Sequence, residues 1–141
     1  MKLFVDTSSL IKYYYPEEGA LQVEKMILKA KVVYICELSI VEFASALMKK
    51  SRMKELSKTD SSLIWQNFND DLGAQNVELV NLYEDDYFKA SDLIMKYGIV
   101  NNLRAIDSLQ LAAALKVADA DFMTSDSTLA KIAKKAGLRL L

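Results

Sequence analysis

Apolar positions along this chain follow two rhythms. Short unbroken runs rich in Val, Ile and Leu alternate with longer stretches in which apolar residues recur every three or four positions. The short runs predict strands over Lys2–Val5, Val32–Ile35, Val77–Val80, Asp121–Thr124 and the closing Leu138–Leu141. The longer periodicity predicts helices over Ser8–Tyr15, Glu17–Ala30, Ser39–Arg52, Thr59–Leu72, Glu84–Tyr97, Asp107–Ala118 and Ser127–Ala136. Pro16 stops the first helix, and Gly73, Gly98 and Gly137 stand just past the ends of three others. The stretch Asp107–Ala118 is apolar almost all round, which predicts a buried helix. Strands that alternate with helices imply a parallel sheet covered on both faces, with right-handed crossovers. In such sheets ligands bind beyond the carboxyl ends of the strands, where the strand order reverses. Acidic residues just after strands or at helix starts therefore carry the most information.

Composition narrows the picture. A chain of 141 residues fits one domain over 1–141, and its 52% hydrophobic content supports a core. One Pro and four Gly leave little room for linkers, and no repeat or low-complexity segment is present. Asp6 and Lys12 interrupt the first apolar run, so no secretory leader is expected. No apolar run is long enough to span a membrane. The single cysteine, Cys36, has no partner for an internal disulfide and reads as a small core hydrophobe, which suits a cytoplasmic location.

The chain contains no His. Imidazole acid–base chemistry and a Ser-His-Asp triad are thereby excluded, and one Cys without His excludes a structural zinc site. The remaining chemistry rests on carboxylates, hydroxyls, Lys, Arg and Tyr, and any metal would be a hard, oxygen-preferring one. The net charge of −1 gives no overall attraction to nucleic acid. Two basic segments, Lys49–Lys58 and Lys131–Arg139, read as solvated helix faces or as phosphate-holding rims of an acidic pocket.

Four carboxylates stand at strand ends or helix starts: Asp6, Glu42, Asp107 and Asp126. Taken singly, each is explained by helix capping. Ser39–Glu42 fits a capping box, Asp107–Gln110 has the analogous spacing, and Asp6 and Asp126 suit N-caps. Taken jointly they ask for more. Capping does not require convergence, whereas a hard divalent cation does, and converging carboxylates repel unless a cation lies among them. Such a centre activates water without imidazole and suits phosphodiester hydrolysis.

The motifs that carry these residues resemble those of the PIN-domain family, most of all its compact VapC-type toxins. FVDTSSLIKYY resembles the opening strand and D-[ST]-S-x-[LV] of that family. SIVEFASAL resembles its second motif, LRAIDSLQLAAAL its third, and ADFMTSDSTLAKIAKKAGL its closing strand and helix. The order and spacing agree over the whole chain. The resemblance implies a three-layer α/β/α sandwich with a short central parallel sheet, and Mg²⁺- or Mn²⁺-dependent cleavage of RNA by the toxin of a toxin–antitoxin pair. It places the metal on Asp6, Glu42, Asp107 and Asp126, with Ser8 and Thr124 orienting carboxylates or phosphate. Arg104, three residues before Asp107, reads equally as a phosphate contact or as a surface ion pair or loop hydrogen bond. The resemblance also implies an antitoxin partner and a homodimer, with Ile11, Tyr14 and Tyr15 as candidate contacts. Two alternatives are a non-catalytic RNA- or protein-binding module and an aspartyl-phosphate phosphotransferase. The latter would place D-x-D-x-T after the first strand, where this chain has DTSSL.

Overall fold

The computed structural model describes residues 1–141. It begins with β1 (Lys2–Val5), α1 (Thr7–Tyr14), α2 (Ala20–Lys29), β2 (Val32–Cys36), α3 (Ser39–Arg52) and α4 (Lys58–Gly73). β3 (Glu78–Val80), α5 (Glu84–Tyr97), α6 (Ala105–Leu115), β4 (Ala120–Met123), α7 (Ser127–Lys135) and β5 (Arg139–Leu140) complete it. The strands form one five-stranded sheet in the order β3-β2-β1-β4-β5, and all pairings are parallel. From β1 the chain winds outward through β2 to β3, then returns to the other side of β1 as β4. The strand order therefore reverses between β1 and β4. Their register aligns Val5 with Met123, so the two strands end level and Asp6 and Thr124 emerge side by side. The backbone N–H of Asp6 donates to the Met123 carbonyl at 2.9 Å and closes this corner.

Period-two alternation sends neighbouring strand residues into two different cores. Leu3, Val5, Val33 and Ile35 pack with Leu10, Phe43, Leu47 and Phe68 under α1–α4. Phe4, Cys36 and Phe122 pack with Leu93, Leu111, Leu129 and Ile132 under α5–α7. This is the α/β/α sandwich expected. Cys36 is free and fully buried, and burial pushes its thiol up to about 11. No helix is long and apolar enough to cross a membrane.

The helices α3 and α5 begin and end where periodicity places them. Three other expectations need correction. The helix expected from Glu17 starts at Ala20, because Pro16 and the left-handed Gly19 (φ 84°) hold a turn first. The helix expected over Asp107–Ala118 runs from Ala105 to Leu115, and Asp119 turns the chain with φ 61°. Ile11, one of the three candidates for subunit contacts, instead serves this chain's own core. Ile11 is buried. Tyr14 lies edge-on to Phe43 and Phe68 and donates its hydroxyl to Asp71 at 2.6 Å, while Tyr15 carries the Lys50 ammonium over its ring. The large apolar side chains left in solvent include Phe88, Met95 and Ile99, on α5 and the turn after it.

Phe43 sits at the centre of this aromatic group, stacked on Phe68 with centroids 4.3 Å apart and wholly buried. Phe43→Ala should lower the unfolding free energy by about 3–5 kcal/mol in a urea titration. A loss below about 1 kcal/mol would mean that the aromatic group is not part of the stabilising core.

Candidate functional site

Asp6 leaves β1 and caps α1. Its Oδ2 accepts from the Ser8 backbone N–H (3.3 Å), the Ser8 hydroxyl (2.6 Å) and the Thr124 hydroxyl (2.9 Å). The two hydroxyls are themselves held by backbone. Ser125 N–H donates to Ser8 Oγ at 3.0 Å, and Asp126 N–H to Thr124 Oγ1 at 3.1 Å. The carboxylate is only 4% exposed.

Glu42 lies in the first turn of α3, but the capping box expected with Ser39 does not form. Leu38 occupies the N-cap position, and Ser39 is drawn fully into the interior. Glu42 instead turns toward α1 and α6. Its Oε1 accepts from the Thr7 hydroxyl at 2.9 Å and from Gln110 Nε2 at 2.6 Å. Gln110 Nε2 also donates to Ser39 Oγ at 2.9 Å, and Thr7 Oγ1 lies 2.9 Å from Ser39 Oγ. This buried cluster ties three helices together at one glutamate. Gln110 Oε1 is left buried without a partner.

Asp107 does not cap its helix. Arg104 holds that position with extended backbone, and Asp107 follows in the first turn. Arg104 grips Asp107 with a fork, Nε to Oδ2 at 2.9 Å and a terminal nitrogen to Oδ1 at 3.3 Å. Of the two readings of Arg104, the ion pair is the one that forms, and it falls on a predicted metal ligand. Asp126 does cap α7, its Oδ1 accepting from the N–H groups of Thr128 (2.9 Å) and Leu129 (3.0 Å). Asp107 and Asp126 share a cavity of about 230 Å³ with Arg104, Asn102 and Thr128.

Burial raises the pKa of Asp6, against the lowering effect of its Ser8 and Thr124 hydrogen bonds, and the charge of Asp107 adds to the rise. Burial likewise raises Glu42, opposed by Gln110 and Thr7, with the charges of Asp6 and Asp107 pushing further upward. The charge of Asp107 thus reaches both Asp6 and Glu42. As the side chains stand, no three acidic groups gather tightly enough to hold an ion between them. The donor chemistry nevertheless fits a hard divalent cation. In Asp6, Glu42 and Asp126 one oxygen takes all the protein's hydrogen bonds and the other takes none. Each is oriented to offer a single oxygen, the mode in which Mg²⁺ uses one or two carboxylates and keeps several waters.

Sequence reasoning missed Thr7, Ser39 and Gln110 as groups that orient Glu42. The signal was Gln110 itself, a polar amide inside a helix that is otherwise apolar all round. The first basic segment runs away from Glu42 along α3. Lys49–Lys58 begins seven residues beyond Glu42, and Arg52 at the end of α3 lies about 15 Å along the axis from it. In the second segment Lys135 bonds Asn101, and Arg139 is paired with Asp121 in β4.

The oriented carboxylates line a crevice at the strand-order reversal, the place where parallel α/β sheets bind ligands. The PIN-domain family model matches residues 3–135, and the chain belongs to that family. It is 28% identical to ribonuclease VapC3 of Pyrobaculum aerophilum over 135 residues, covering 93% of this chain and 94% of that protein. The fold is similar to that of Mycobacterium tuberculosis VapC20, a toxin that cleaves the sarcin–ricin loop, with a TM-score of 0.73, 13% identity and 99% and 98% of the two chains covered. It is also similar to a chain of Rickettsia felis VapBC2 bound to promoter DNA (TM-score 0.66, 15% identity, 100% and 98% covered). A chain of FitAcB from Neisseria gonorrhoeae gives a TM-score of 0.65 at 13% identity, with 100% and 96% covered.

The raised pKa of Asp6 has a stability consequence of definite sign. The folded state holds its proton more tightly than the unfolded chain, so the associated stability is present below the unfolded value near 3.8 and is lost as pH rises through the folded value. With EDTA present, Asp6→Asn should be more stable than wild type at pH 7, and the difference should shrink as the pH is lowered toward 4. Urea titrations at the two pH values measure this. A variant less stable than wild type at pH 7 would show that the Asp6 charge is compensated within the protein.

Proposed function

We propose that this chain is a divalent-metal-dependent endoribonuclease that hydrolyses RNA phosphodiester bonds as the toxin of a toxin–antitoxin pair. The observation that carries the reading is that Asp6, Glu42 and Asp126 are each fixed through one oxygen and offer the other. A binding module has no need to bury Asp6 and Glu42 at a cost in folding energy. The names of the relatives support RNA as substrate, and the VapBC2 assembly supports a protein partner, an antitoxin. Pairing with a second copy of the chain belongs to the same reading.

Asp6, Glu42, Asp107 and Asp126 would hold the cation. When bound, Mg²⁺ or Mn²⁺ would activate water and neutralise charge that develops on the phosphate oxygens. The protein's own groups supply orientation. Ser8 and Thr124 set the angle of Asp6, Thr7 and Gln110 that of Glu42, and the first turn of α7 that of Asp126. Asn102 and Thr128 line the cavity where a phosphate would enter. With no imidazole in the chain, a cyclising mechanism has no His to take the ribose 2′-hydroxyl proton.

Incubation of the purified chain with an end-labelled oligoribonucleotide tests the reading. Cleavage should be absent in EDTA, restored by Mg²⁺ or Mn²⁺ and weak with Ca²⁺, whose longer bonds and looser geometry fit the reaction poorly. Products should carry 5′-phosphate and 3′-hydroxyl ends, and Asp107→Asn should reduce cleavage to background. Products with 2′,3′-cyclic phosphate ends, or full activity in EDTA, would overturn the proposal.

A further inference from the structure

Asp107 differs from the other three carboxylates. Asp6, Glu42 and Asp126 each keep one oxygen free of protein donors, whereas both oxygens of Asp107 are taken by the Arg104 fork. Arg104 in turn has no other acceptor within the protein, and its side chain is 68% exposed against 11% for Asp107. Its backbone role does not depend on the side chain. The Arg104 carbonyl accepts from Ser108 N–H at 3.0 Å and starts α6 whichever way the guanidinium points. A guanidinium fixed for architecture is usually bonded from several sides. This one is attached only to a carboxylate that a cation would also claim.

We propose that Arg104 is an exchangeable counter-cation. It neutralises Asp107 when no metal is bound and yields it to an incoming divalent cation. This rests on the reading of the crevice as a divalent-cation centre. A pair with one partner so exposed is weak, and displacing it costs roughly a factor of one to five in affinity. The positive charge of Arg104 also offsets repulsion among Asp107, Asp6 and Glu42 in the metal-free protein. The displaced guanidinium remains at the mouth of the cavity, where its fork suits a phosphate oxygen pair of the substrate. Metal loading and substrate binding would then favour one another through a single side chain, and the coupling would be reciprocal.

The test is Mn²⁺ titration of the full chain, followed by electron paramagnetic resonance of the free ion, for wild type, Arg104→Gln and Arg104→Lys. Both variants should bind Mn²⁺ about two- to fivefold more tightly than wild type. Arg104→Lys keeps the charge but loses the fork, so tightening in it reports the exchange rather than simple charge removal. Unchanged or weaker binding in Arg104→Gln, or tightening confined to Arg104→Gln, would overturn the inference and leave the metal reading standing. No Mn²⁺ binding by any of the three proteins at millimolar concentration would overturn both. A second readout needs no altered protein. The Arg104 Nε–H resonance in ¹H–¹⁵N spectra, identified by its absence from Arg104→Gln, should move toward that of a free arginine when Mg²⁺ replaces EDTA. A resonance that stays in place while Mg²⁺ binds would also overturn the exchange.

Discussion

The costly feature of this molecule is negative charge held out of water at the corner between β1 and β4. Asp6 and Glu42 are both desolvated, and the charge of Asp107 opposes their ionisation further. Much of the surrounding structure answers that cost. Asp6 is secured by hydroxyls from α1 and the β4–α7 turn, and Glu42 by a hydroxyl from α1 and an amide from α6. Charge-assisted hydrogen bonds of this kind are roughly twice as strong as neutral ones, but here they engage only one oxygen of each carboxylate. What remains is a half-satisfied set of acidic groups, stable enough to fold and short of positive charge.

The sheet makes this arrangement possible. Because β1 and β4 are parallel and end level, the residues after them reach the same corner although they are more than a hundred positions apart in sequence. The two cores hold the helices that complete the site from opposite sides. On one side Phe43 follows Glu42 directly and is buried against Phe68, so the helix that carries the glutamate is anchored one residue away. On the other side the small side chains Ala112, Ala113 and Ala114 let α6 pack closely, bringing Asp107 and Gln110 to the corner. Core packing and site geometry are here consequences of the same residues.

Much of this was legible in the sequence because it follows from periodicity. The alternation of strands and helices, the ends of α3 and α5, and the placing of Asp6 and Asp126 after strands all depend on local pattern and one topological rule. What was hidden depends on which of several polar residues wins a given hydrogen bond. Ser39 and Glu42 have capping-box spacing, yet Glu42 finds stronger partners in Thr7 and Gln110, groups 35 and 68 positions away. Asp107 has the spacing of a cap, yet Arg104 starts the helix and claims both its oxygens. Ile11 looked like a contact for another molecule because the core it joins, with Phe43 and Phe68, is remote in sequence. Such competition is settled only when the fold brings distant groups together.

The proposed function requires that Asp6, Glu42, Asp107 and Asp126 come together around a divalent cation. Anomalous diffraction from crystals of the chain soaked in Mn²⁺ addresses it most directly. The account predicts a peak at the ends of β1 and β4, within coordination distance of Asp6 Oδ1 and bounded by Glu42 and Asp107. A chain that orders Mn²⁺ only elsewhere, or not at all at millimolar concentration, would contradict it.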